Sequence, residues 1–166
     1  LLLNNESINK DKKNKLLSEI LNSIDYLHEI INDFLSSSRN IELDVKTIDN
    51  KKMCKKIFED FKIQAKAKKI NLNFKYKSKI NEVIGDKIKL NELLANLLSN
   101  AIKFSETGKV DLIIEDNNNN IYYKVKDTGI GIDKKNIHKV FHEYFKVDNK
   151  FIEGTGIGLF IANQFF

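Results

Sequence analysis

The sequence predicts an α/β fold, a two-layer sandwich in which a mixed sheet carries helices on one face, with a long helix in front. Three observations predict it. Ile70 to Tyr76 and Ile121 to Lys126 alternate apolar and polar residues, the pattern of strands with one covered face. Residues 51–68 and 86–104 instead space apolar residues three and four apart, as helices do. The two kinds of segment alternate along the chain, which layers helices upon a sheet.

Composition sets the outer limits. The chain has 166 residues, 42% of them hydrophobic, enough for one medium domain or a small domain with a helical appendage. No apolar run approaches the length that crosses a membrane, and the opening LLL lacks the parts of a signal peptide. A lone Cys54 excludes an internal disulfide and fits a reducing, cytoplasmic setting. The net charge of +5 comes from lysines spread over nearly every segment. No basic stripe is interleaved with aromatics, so nucleic acid is not expected as a partner. Proline is absent, for which there is no physical account.

The elements follow in order. Residues 4–15 are polar and read as a loop or frayed helix start. Leu17, Ile20, Ile24, Leu27, Ile31 and Phe34 then form a heptad seam that Leu16, Ile30 and Leu35 widen. Such a face demands partners, and the serines at 36–38 end the helix. Val45 to Ile48 reads as a short strand, and Asp49 and Asn50 can cap the helix over 51–68, whose buried line is Met53, Ile57, Phe61 and Ala65. Ile70, Leu72, Phe74 and Tyr76 share a strand face, and Val83 and Ile84 make a brief strand. Val110 to Glu115 and Ile121 to Lys126 are strands joined by an asparagine turn at 117–120.

The helix from Asp86 to Phe104 carries the most information. Asp86 suits its N-cap, and Ile88, Leu90, Leu94, Leu97, Leu98, Ala101 and Ile102 are expected to supply a broad buried face. Asn96, Asn100 and Lys103 recur on a second face. Alone, they read as a solvated polar stripe. Two glycine motifs argue otherwise: DTGIGI at 127–132 follows a strand, and GTGIGL at 154–159 opens an apolar helix.

That order of motifs resembles the ATP-binding domain of sensor histidine kinases, in the GHKL (Bergerat) superfamily shared with gyrase, MutL and heat-shock chaperone ATPases. The likeness runs from about residue 12 to the end, and INDFLSSSRNIEL is similar to the close of the second helix of the kinase dimerisation hairpin. It implies residues 1–42 as part of that hairpin and residues 43–166 as the catalytic domain. It also implies that both ends are cut, the first hairpin helix and two further strands lying outside the chain. ATP and Mg²⁺ are the implied cofactors. The implied partners are a second copy, through the hairpin, and the receiver domain of a response regulator. The parent protein could be membrane-anchored.

The resemblance also distributes roles. Asn100 is the expected Mg²⁺ ligand, its amide oxygen serving an octahedron otherwise filled by water and phosphates. Lys103, expected to take part in catalysis as well as binding, can reach a phosphate as a point charge. Phe104 is expected beside the adenine. Asn96, expected both to bind nucleotide and to take part in catalysis, stands where hydrolytic relatives carry a glutamate base, and a neutral amide cannot serve as that base. Glu92 is the only carboxylate of this helix that could replace it. Asp127 can accept from an exocyclic amine and so choose adenine over guanine, with Gly129, Gly131 and Ile132 completing the loop. Gly154, Thr155, Gly156, Gly158 and Leu159 form the second loop, whose N–H groups can meet phosphate oxygens.

VFHEYFKVD at 140–148 resembles the phenylalanine segment of these kinases. Phe141 and Phe145 are expected to pack at the base of a short lid over 146–153, from which Lys146 could reach a phosphate. His28–Glu29 begins as a phosphoacceptor motif begins but continues as IIND, so the acceptor histidine is expected elsewhere. His138 and His142 could form half a metal site, but no third ligand is evident and a helix face is the plainer reading. The expected function is transfer of the ATP γ-phosphoryl group to a histidine and then to a response regulator, the fragment alone not phosphorylating itself. Two alternatives stay open: a gyrase- or MutL-type ATPase clamp, and a degenerate, non-catalytic dimerisation module.

Overall fold

The computed structural model describes residues 12–21, 23, 24, 27, 43–117, 120–142, 145 and 159. They fall in two units, a helical one and an α/β body. In the first, α1 is helical at residues 12–21, 23, 24 and 27. Its seam residues Leu17, Ile20, Ile24 and Leu27 are exposed. Ile30, Ile31, Phe34, Leu35 and His28 lie outside the described residues.

The body runs β1 (Val45–Asp49), α2 (Asn50–Ala67), β2 (Ile70–Tyr76), β3 (Glu82–Asp86), α3 (Lys87–Lys103), β4 (Gly108–Asn117) and β5 (Asn120–Asp127), then a 3-10 turn at Lys134–Asn136. The strands form two sheets among the described residues. β1 and β3 pair antiparallel, while β4 lies between β2 and β5, parallel to the first and antiparallel to the second. Parallel neighbours need a long crossover, and β3 with α3 provides it. β4 and β5 pair antiparallel up to Asn117 opposite Asn120, and residues 118 and 119 lie outside the described residues.

The core follows the two periodicities. Val110, Leu112 and Ile114 alternate along β4 and are fully buried, in one cluster with Leu94, Leu98 and Ile102 of α3 and Met53, Cys54 and Ile57 of α2. The other face of β4 is covered too: Asp111 and Ile113 are buried, and Lys75 of β2 pairs with Asp111 at 3.2 Å. Long lysine stems can cover apolar surface while keeping their charge in water.

One expectation about burial is corrected. Ile88 is 71% exposed, whereas Leu93 is buried. The buried residues of α3 begin only at Leu93, so its first turn stands clear of the layer that covers the rest. Ile84 is also exposed, because it sits opposite Thr47 on the outer face of β3, while Ile48 turns inward.

Asn50 does not share the cap. Asp49 alone accepts from the N–H of Lys52, at 2.9 Å. Asn50 is instead fully buried. Its Nδ2 donates to the Tyr76 hydroxyl at 3.2 Å, and its Oδ1 accepts from the Tyr123 hydroxyl at 2.8 Å and from the Cys54 thiol at 3.5 Å. The Tyr76 hydroxyl in turn donates to the carbonyl of Ile80 at 2.5 Å. A buried amide is tolerated when so satisfied, and here it ties α2 to β2 and β5.

Candidate functional site

The site is built around α3. Asp86 caps it, Oδ1 accepting from the N–H groups of Ile88 at 2.9 Å and Lys89 at 3.1 Å. The Lys89 N–H, helped by those of Asp44 and Ile88, holds the Asp86 carboxyl below the usual carboxylate range. With Leu94, Leu98 and Ile102 committed to the core, Asn96, Asn100 and Lys103 fall on the other side of the helix and are half-buried.

The far end of α3 is where the motifs meet. The carbonyl of Asn100 accepts from the N–H of Phe104 at 2.9 Å, and the carbonyl of Phe104 accepts from the N–H of Ile130 at 3.1 Å. Lys68, which closes α2, donates its ammonium to the carbonyls of Ile102 at 3.1 Å and Lys103 at 2.8 Å. The last carbonyls of a helix have no donor within it, and these three come from outside α3's own ladder or from its cap.

The loop after β5 is held from both sides. Asp127 Oδ1 accepts from the N–H of Gly129 at 2.9 Å, and Thr128 Oγ1 accepts from the N–H of Lys109 at 3.0 Å. A Cβ on Gly129 would lie 2.4 Å from the Phe104 carbonyl oxygen, so glycine is required by close approach. Gly131 is required by conformation, with φ at +70°.

The structure thus brings Phe104, Asp127 and Gly129 together, and α3 sets Asn96, Asn100 and Lys103 along one helix. Ile132 is exposed, and Leu159 is helical and half-buried. Lys146, Gly154, Thr155, Gly156 and Gly158 lie outside the described residues, as does the lid over 146–153. Phe141 is exposed and Phe145 half-buried, and the lid they were expected to pack against lies outside the described residues. His138 and His142 are likewise exposed in turns, not on a helix face. Glu92 is ion-paired with Lys89 at 2.9 Å. Lys68 and Thr128 were not legible in the sequence. Backbone carbonyls and amides 34 and 19 residues away are their partners, and no residue pattern marks those.

The donor set fits a particular metal chemistry. Among the described residues no cluster of three His, Cys, Asp or Glu could hold an ion. A lone amide oxygen from Asn100 suits a cation that keeps water and substrate phosphates as most of its ligands, as Mg²⁺ does and structural Zn²⁺ does not. Beside Phe104, the Ser105 hydroxyl is fully buried without a hydrogen-bond partner among the described residues.

The chain is similar to several known proteins. Residues 85–166 match the family described as histidine kinase-, DNA gyrase B-, and HSP90-like ATPase. The chain is 29% identical over 156 residues to the sensor histidine kinase YvrG of Bacillus subtilis (strain 168), covering 92% of this chain and 26% of that protein. It is 42% identical over 85 residues to the sensor histidine kinase WalK of the same organism, covering 48% of this chain and 14% of that protein. The chain therefore spans about a quarter of YvrG and less of WalK. Among solved structures, full-length ShkA in complex with AMPPNP superposes with a TM-score of 0.78 at 25% identity, over 98% of this chain and 35% of that one. ThkA in complex with the response regulator protein TrrA gives a TM-score of 0.80 at 19% identity, over 99% of this chain and 47% of that one, a likeness of fold. Residues 85–166 thus match the histidine kinase-, DNA gyrase B- and HSP90-like ATPase family, and the chain is similar to sensor histidine kinases.

Proposed function

We propose that this chain binds Mg-ATP and presents its γ-phosphoryl group to a histidine other than His28, from which the group passes to an aspartate of a response regulator. The observation that carries the reading is the junction of Ile130 with Phe104, which seats the aspartate–glycine loop on the end of the asparagine helix. Sensor histidine kinases among the relatives support the activity, and the AMPPNP complex of ShkA supports the nucleotide.

Each residue has a part in it. Asp127 accepts from the adenine amine, and Phe104 lies against the base. Asn100 holds Mg²⁺, Lys103 and Lys146 meet phosphate oxygens, and the N–H groups around Gly154, Thr155, Gly156 and Gly158 do so from the second loop. Mg²⁺, when bound, neutralises charge on the phosphates. Catalysis is then mostly positioning and electrostatics, with Asn96 as a neutral neighbour that does not activate water. Residues 1–42, with the exposed apolar seam of α1, serve a helical bundle formed with a second copy, and residues 43–166 serve as the catalytic domain. The setting is the cytoplasm. No described helix is long and apolar enough to cross a membrane.

The test is transfer of label from γ-labelled ATP, mixing the 166-residue protein with a separately made phosphoacceptor hairpin and a receiver domain. Label on the hairpin, then on the receiver, is expected. No label on either, from a protein that binds ATP, sinks the reading. Steady phosphate release that disappears in Glu92→Ala would instead favour an ATPase clamp.

A further inference from the structure

We propose that Lys68 is a positioning residue for the nucleotide site, although it belongs to the neighbouring helix. The inference rests on the nucleotide-binding reading of α3. Its ammonium donates to two consecutive carbonyls, Ile102 at 3.1 Å and Lys103 at 2.8 Å. Those carbonyls belong to the turn that presents Asn100, Lys103 and Phe104. A cation there also meets the negative end of the helix dipole.

Capping alone would need nothing further, but the bonds continue. The next carbonyl, that of Phe104, accepts from Ile130 of the aspartate–glycine loop at 3.1 Å. Lys68, the last turn of α3 and the loop that follows β5 are therefore one hydrogen-bonded series. Moving the first member shifts the turn on which the loop is seated. The backbone of Lys68 is held: its N–H donates to the Gln64 carbonyl at 3.3 Å, and the next residue, Lys69, turns the chain with φ at 57°. That left-handed conformation is one a glycine adopts at lower cost, and it ends α2 where the Lys68 side chain can reach α3.

The experiment compares the 166-residue protein with Lys68→Met and Lys68→Arg by calorimetric titration with Mg-ATP and by amide hydrogen exchange. In Lys68→Met, which loses both charged hydrogen bonds, ATP affinity is expected to fall about tenfold, with exchange at the Ile130 amide faster by a similar factor. Amides in the middle of α2 and β4 should keep their protection. Lys68→Arg, whose guanidinium can serve both carbonyls, should return affinity to within about threefold of the parent. If Lys68→Met does not fold, Lys68→Gln is read in the same way. An affinity within twofold of the parent overturns the inference, and so does a loss of protection spread evenly over the body. A parent protein that binds no ATP would instead overturn the nucleotide reading itself.

Discussion

The N–H of Ile130 donates to the carbonyl of Phe104 at 3.1 Å, so the loop after β5 and the end of α3 meet backbone to backbone. A main-chain bond fixes their separation whatever side chains stand nearby. It also leaves Gly129 lying directly against the same carbonyl. Much of the site's behaviour should follow from that contact.

Gly129→Ala should therefore damage the site more than its one added methyl suggests. The new Cβ would sit 2.4 Å from a backbone oxygen and 3.0 Å from Asp127 Oδ1, and a backbone cannot swing aside as a side chain can. Overpacking of this sort costs about 1–3 kcal/mol, to be read by urea denaturation. ATP affinity, read by calorimetry, should drop by more than about tenfold, since 1.4 kcal/mol is tenfold. Unchanged affinity would separate this loop from nucleotide binding.

Asp127→Asn is expected to part the two duties of that carboxylate. The amide oxygen can still accept from the Gly129 N–H, now at 2.9 Å, so the loop should keep its shape and the protein its melting temperature. The charged hydrogen bond proposed to adenine would be lost, at about 1.5–3 kcal/mol. Parallel titrations with ATP and GTP check this: the preference for ATP should collapse. A retained preference would place adenine recognition elsewhere.

Asn100→Ala should abolish the dependence of ATP binding on Mg²⁺ with little change in fold, because the side chain is half-buried on the polar side of α3. Titration with and without Mg²⁺ reads it directly. An undiminished Mg²⁺ effect would assign the metal ligand to another residue.

Alkaline stability should depend on Cys54. Burial pushes its thiol up from 9.0 to about 12. The folded state thus favours the protonated form, and the unfolded chain ionises first. The stability gained is whole below pH 9.0 and is lost as pH rises toward about 12. The slope is about 1.4 kcal/mol per pH unit within that window. Burial raises Tyr123 and Tyr76 in the same direction, so their contribution adds above pH 10.0. Urea denaturation at pH 8, 9.5 and 10.5 on the parent and Cys54→Ala should show a shallower decline in the variant. Parallel declines would mean that the thiol ionises freely in the folded state.

The residues by themselves determined the elements and the parts of the site that are local. Alternation made Ile70 to Tyr76 a strand, and the spacing in residues 87–103 made a helix whose apolar side is buried from Leu93 to Ile102. Asp49 and Asp86 announced their caps because an N-cap bond spans only two or three residues. Gly129 and Gly131 stood out because only glycine suits such positions without penalty.

Only the tertiary structure decided what depends on distant partners. The placement of β4 between β2 and β5, the exposure of Ile84 and Ile88, and the buried amide of Asn50 with its two tyrosines are of this kind. So is the reach of Lys68 to the carbonyls of Ile102 and Lys103. Periodicity says which face of an element is apolar, but not which neighbour covers it or how far the cover extends. And every residue carries a carbonyl, so nothing in the order of side chains marks the two that a lysine 34 and 35 positions earlier will find.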